Sequence, residues 1–275
     1  MAKESWAVLR NDRSLTLFPV VSAFAMLAAV LLLVGPGVVV LAVDAPAPVA
    51  YVLWAIALYI LTFIGIYCNV ALSAAASHSL DGNDTSLSDG FSVARQRTGV
   101  IAKWAAVSLV VGLLLNALEA ALAQSPIGRI VAGIISGLLG AAWSIVTFFV
   151  VPSLALEGLA PKAALERSGR LIKERWGEGL IGSGSIMGIV FLALILPSVA
   201  IGALGVYTVD SSAALGGLLI AVGVVGVIAA LLIGSTLNAI FRVALFRYAT
   251  DGAVAPGFDR DSLENAFRPK RRGRI

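Results

Sequence analysis

The sequence predicts an all-α, polytopic membrane protein: six transmembrane helices, forming three repeated helical hairpins, each preceded by a basic interfacial helix. Three observations predict it. Apolar residues make up 59% of the 275 residues and charged ones only 13%, about half the charged share of a soluble domain. The apolar residues run in six stretches, each long enough to cross a bilayer, which takes about 20 helical residues. Nineteen of the twenty Lys and Arg residues fall on every second connection between those stretches, and loops rich in Lys and Arg stay on the cytoplasmic side. A large soluble helical core would need charged faces on these stretches, and they carry almost none.

The spans are predicted near 16–43, 50–76, 100–123, 127–156, 180–206 and 213–247, in a transmembrane domain over 1–254 followed by a basic cytoplasmic tail over 255–275. Lys3, Arg10 and Arg13 precede the first apolar run, as they would in a signal peptide. A signal h-region has about 7–15 residues, whereas this run is longer and lacks a small-x-small site before Asp44, so a retained signal-anchor helix is expected. The only cysteine, Cys68, lies inside span two, which excludes a disulfide framework and a thiolate metal site.

Orientation follows from the cations. The N-terminal segment carries Lys3, Arg10 and Arg13, and the connection after span two carries Arg95, Arg97 and Lys103. Lys162, Arg167, Arg170, Lys173 and Arg175 follow span four, and the other eight lie at the end of span six and in the tail. The opposite connections hold Asp44, Asp210 and the one exception, Arg129. The protein is therefore expected in the cytoplasmic membrane, multi-pass, with both termini cytoplasmic. The outer links, such as Gln124-Ser125-Pro126, are too short for an extracellular domain.

The inner connections each contain an amphipathic basic segment. Asp84 to Asp89 offers N-cap residues before Phe91–Arg97, and Pro161 suits the first helical position before Lys162–Trp176. With Val93, Leu165, Leu171 and Trp176 beside cations, these segments read as interfacial helices or as solvated loop helices. Internal similarity suggests repeats over 1–83, 84–160 and 161–254. Trp6-Ala7-Val8-Leu9-Arg10, Phe91-Ser92-Val93-Ala94-Arg95 and Gly169-Arg170-Leu171-Ile172-Lys173 recur in the basic segments, and Ser73, Glu157 and Arg242 fall at matching depths in the inward spans.

Polar residues inside spans tend to face a bundle interior or a cavity. Asn69, Ser73, Ser153, Glu157, Asn238 and Arg242 form a candidate inner polar cluster, with Glu157 and Arg242 as its natural ion pair. It reads as a helix clasp or as the floor of a substrate cavity. Near the outer end, Glu119 and Arg129 face each other across a tight link and form a candidate ion pair. Gly226, Ala230, Gly234, Asn238 and Arg242 share one face of span six; Gly133 and Gly137, and Gly184 and Gly188, repeat the spacing that lets helices approach closely. Pro152 should kink span four unless neighbours satisfy the freed groups.

Catalytic constellations are nearly absent. The sole histidine, His78, leaves a Ser-His protease or a multi-histidine metal site little to work with, and HExxH, GxSxG and P-loop patterns are missing. No metal, no cofactor and no enzymatic activity are expected. In the tail, Arg268, Lys270, Arg271, Arg272 and Arg274 would contact anionic headgroups at the cytoplasmic face, each adding about 1 kcal/mol of attraction. Membrane lipids and a membrane protein partner are expected, and nucleic acid is not.

Ser5-Trp6-Ala7-Val8-Leu9-Arg10-Asn11-Asp12-Arg13-Ser14-Leu15 before Phe18-Pro19, and Phe148-Phe149-Val150-Val151-Pro152 leading to Glu157-Gly158 and Ala164-Leu165-Glu166-Arg167-Ser168, carry a resemblance. They resemble a family of six-span prokaryotic membrane proteins of unknown function, which is similar to the membrane domain attached to some glycerophosphodiester phosphodiesterases. The resemblance implies a membrane fold and no catalytic residues, since the phosphodiesterase barrel is missing. The expected function is a non-enzymatic accessory or scaffold protein; the alternative is a small transporter or lipid-handling permease using the inner polar cluster.

Overall fold

A computed structural model describes residues 2–42, 46–176, 188–256 and 258. Among them every regular element is helical. Six segments are long and apolar enough to cross a membrane: Arg13–Val40, Pro48–Leu80, Thr98–Leu122, Ile127–Glu157, Gly188–Thr208 and Ala213–Asp251. They match the six expected spans within a few residues, except that 180–187 lies outside the described residues. Large side chains on them point outward, with Leu32 72%, Leu138 67% and Leu192 65% exposed. In water such surface would collapse or aggregate; in lipid it is the solvated face.

The helices are α1 (Ala2–Asn11), α2 (Leu17–Ala29), α3 (Gly35–Ala42), α4 (Ala47–Leu80), α5 (Leu87–Gln96), α6 (Thr98–Leu122), α7 (Pro126–Val146), α8 (Val150–Pro152), α9 (Pro161–Trp176), α10 (Leu196–Thr208) and α11 (Ala213–Asp251). Local chemistry sets the boundaries. Ser86 and Asp89 form a reciprocal capping box at the start of α5. Ser125 caps α7 with Pro126 in the first turn, and Ser212 caps α11. Besides the turn in span four described below, two spans contain a widened π turn, Val30–Val34 in span one and Phe191–Ile195 in span five. Each ends two residues before a proline, Pro36 and Pro197. A proline ring crowds the carbonyl four residues back, and the wider turn gives Leu32 and Ala193 that room.

Polar side chains on the spans mostly satisfy themselves on their own helix. Thr62, Ser198, Thr208 and Thr236 donate to the carbonyls four residues earlier. Asn69 and Asn116 do the same to Gly65 and Gly112, at 2.8 and 2.9 Å. Back-bonding removes the need for a partner in lipid.

The chain divides into two compact units. One comprises Met1–Pro19, Ala76–Thr85 and Glu174–Ile275. Within it, α10 and α11 form a hairpin in backbone contact. A methyl group on Gly205 would overlap backbone atoms of Gly216 and Ile220; one on Gly223 would overlap those of Gly202 and Ser198. Glycine is required here by proximity, not by conformation. The helix α1 packs on α11; Ser5, Val8 and Leu9 of α1 and Ile240, Phe241, Val243 and Ala244 of α11 are buried. Asp12 accepts from Ser14 N at 3.1 Å and from Thr85 Oγ1, so the link after α4 is pinned to the N-terminal segment.

The other unit comprises Val20–Ala75 and Ser86–Lys173. Trp54 Nε1 donates to the Val34 carbonyl at 3.3 Å, and its ring fills the space that a side chain on Gly37 would need. Tyr59 donates to the Ala102 carbonyl at 3.1 Å. Phe91 of α5 stacks on Tyr67 of α4, with centroids 6.0 Å apart. Trp104 and Trp143 stack at 5.9 Å and tie α6 to α7. Gly133, Gly137 and Gly188, expected to mark close helix contacts, have open space where a side chain would stand. A small residue permits close approach without causing it.

Candidate functional site

A polar junction in the second unit grows from a break in span four. The helix α7 ends at Thr147, whose N–H and Oγ1 both bond the Trp143 carbonyl, at 2.9 and 2.7 Å. Phe148 N then takes the Ile145 carbonyl at 3.0 Å. That is the acceptor an unbroken helix would have offered to Phe149 N. The orphaned N–H of Phe149 donates instead to Ser168 Oγ at 3.0 Å, a fully buried hydroxyl supplied by α9. Such a group left unpaired in a buried setting costs about 1–3 kcal/mol. The expected kink at Pro152 thus becomes a tilted turn before the proline and a π turn, Ser153–Glu157, after it.

The π turn stops at Gly158, which has φ +64°, a conformation that glycine adopts without strain. The chain reverses there into α9, and this brings Arg167 back to Glu157. Arg167 donates from Nε at 3.2 Å and from Nη2 at 3.0 Å to Glu157 Oε1. Both side chains are partly exposed, 30% and 26%. Glu157 Oε2 and Ser153 Oγ are buried without a hydrogen-bond partner among the described residues. Next to this pair the Arg97 guanidinium lies against Gly158, occupying the space a side chain there would take.

Four residues of the expected cluster, Asn69, Ser73, Ser153 and Glu157, lie in this unit. Ser153 and Glu157 share the π turn, and Ser73 is buried on α4 in the same unit. Asn69 is exposed and bonded to its own helix. Asn238 and Arg242 belong to the first unit. Arg167 engages Glu157, and it arrives because the Gly158 turn folds α9 back. The sequence signal for it was the Glu-Gly step followed by an amphipathic helix. In the first unit, Arg247 bonds the Ser77 carbonyl at 3.2 Å and Asp81 at 2.5 Å, a second contact the sequence reading missed.

Glu119 and Arg129 are both exposed, and no salt bridge joins them among the described residues. An exposed ion pair gains little over hydration, so the short link alone does not enforce one. Arg268, Lys270, Arg271, Arg272 and Arg274 lie outside the described residues, as do Asp44 and Gly184. No group of acidic, His or Cys side chains suited to a metal ion occurs among the described residues.

Six apolar helices, self-satisfied polar groups and polar contacts concentrated where short basic helices join span ends define a multi-pass α-helical membrane protein. The chain belongs to a family described as "Family of unknown function (DUF6159)", whose model matches residues 47–257. No curated protein and no solved structure matches the chain.

Proposed function

We propose that this is a non-enzymatic accessory or scaffold protein of the cytoplasmic membrane, with both termini cytoplasmic. One observation carries the reading: the costliest residue of span four, Glu157, holds the next basic helix in place through Arg167. An ionised group at a span end that fixes helix geometry acts as a clasp. The alternation of Lys and Arg between connections supports the orientation. Anionic headgroups at the cytoplasmic face and a membrane protein partner are the expected contacts. The likeness to the membrane domain of some phosphodiesterases supports a membrane fold and brings no activity with it.

Three repeated hairpins, each opened by a basic helix, form the architecture of this proposal. A shared docking rule supports it. The helix α1 packs on α11, α5 on α4 through Phe91 and Tyr67, and α9 on span four through Ser168 and Phe149. Each basic helix thus meets the second span of a hairpin. Ser5, Gly90 and Ser168 stand at equivalent register one residue before the recurring segments, and all three are buried.

The alternative, a small transporter or lipid-handling permease, is favoured by the unpartnered buried atoms Ser153 Oγ and Glu157 Oε2. Cysteines introduced one at a time at Ser153, Glu157 and Asn238, in a Cys68→Ser background, separate the two. Slow reaction with a membrane-impermeant thiol reagent at all three is the expected scaffold result. Rapid labelling at all three would describe a water-filled path and favour the permease.

A further inference from the structure

We propose that Arg97 and the Gly158 turn form a binding site for a phosphate group at the end of the third and fourth spans. The site is independent of the scaffold reading. Arg97 is the residue on which α5 ends and α6 begins; its backbone N–H bonds the Val93 and Ala94 carbonyls, both at 3.1 Å. Two helices therefore fix its Cα, and only the side chain is free to choose a position. That side chain lies over Gly158, where glycine suits φ +64° and the guanidinium occupies the space a side chain would take.

No hydrogen bond or ion pair engages the Arg97 side chain among the described residues, and its Nε is buried. Guanidinium carries five donors and never deprotonates in a protein, so a part-buried arginine without an acceptor is costly. Glu157, the residue before its resting place, is bonded by Arg167 through Oε1, and its Oε2 makes no hydrogen bond to Arg97. Arg97 is thus left with a fork of donors at the Gly158 turn, next in sequence to the Glu157–Arg167 pair, and such a fork matches the oxygens of a dianionic or diester phosphate. Arg95 on α5 and Lys103 near the start of α6, both exposed, add positive field around it. Two sources share this chemistry, the phosphodiester of an anionic phospholipid and a soluble phosphate.

The test uses the full chain purified in detergent and then placed in nanodiscs. Retained lipid is counted by native mass spectrometry in phosphatidylglycerol and in phosphatidylcholine, and inorganic phosphate is titrated separately with thermal unfolding as the readout. The expected result is one tightly retained phosphatidylglycerol, with binding weakened about tenfold by Arg97→Gln and several-fold by Arg97→Lys, which keeps the charge and loses the fork. Stabilisation by inorganic phosphate that depends on Arg97, without lipid retention, also supports the site and makes its ligand a soluble phosphate. Equal lipid and phosphate binding by the wild type and both variants overturns the proposal. If Arg97→Gln does not fold, wild-type binding by Arg97→Lys overturns it.

Discussion

Arg167 places two donors, Nε and Nη2, on a single oxygen of Glu157, reaching back across the Gly158 turn. The geometry leaves the other carboxylate oxygen buried and directs the pairing energy into one contact. It also explains why α9 follows span four so closely: the turn, the ion pair and the Ser168 hydrogen bond hold the same junction.

Glu157→Gln should lower the unfolding temperature of the purified protein, with a loss near 1 kcal/mol because both partners are partly solvated. Arg167→Gln should cost about the same, and the double variant should cost less than the sum. Thermal unfolding of the four proteins in one detergent measures the coupling. Strict additivity would remove the clasp.

Ser168→Ala should destabilise by about 1–3 kcal/mol, since it strands the buried N–H of Phe149. Hydrogen exchange gives a site-specific check. The Phe149 amide should lose protection in the variant while amides in α11 keep theirs. Unchanged protection at Phe149 would contradict the bond.

Gly223→Ala should impair folding, because its methyl group would press on backbone atoms of Gly202 and Ser198. Gly217→Ala is the matched control on the same helix, with nothing near its side-chain position. Alanine is favoured over glycine inside a helix by roughly 0.5–1 kcal/mol, so Gly217→Ala should be neutral or slightly stabilising. Folded yield by gel filtration and thermal unfolding compare them.

Cysteines at Lys3 and Asp210, in a Cys68→Ser background, report the orientation. With both termini cytoplasmic, Asp210→Cys should be labelled by an impermeant reagent in intact cells, and Lys3→Cys only after the membrane is opened. The reverse pattern would invert the topology.

Much of the fold was legible in the residues. Six long apolar helices lie where apolar runs predicted spans, as far as the described residues reach; Ser86 and Ser125 cap helix starts and Pro161 opens one. The break at Thr147 was less legible: Pro152 announced a disturbance, but the turn lies several residues earlier, where Thr147 bonds Trp143 and Ser168 is at hand to take the released donor. At the site, Glu157 was legible as an expensive residue and its partner was not. Arg167 differs little in sequence from its neighbouring cations, and only the reversal at Gly158 selects it.

Span number, span boundaries and helix caps were determined by the sequence itself, because each depends on local quantities: the length of an apolar run against bilayer thickness, and side chains within hydrogen-bond reach of their own helix end. Pairing was decided by tertiary structure alone. Glu157 with Arg167, Arg247 with Asp81, Phe149 with Ser168 and Gly223 against Gly202 all depend on which surfaces meet. Charges and small residues recur along this chain, so type and spacing leave many partners open. Distance in the folded state makes the choice.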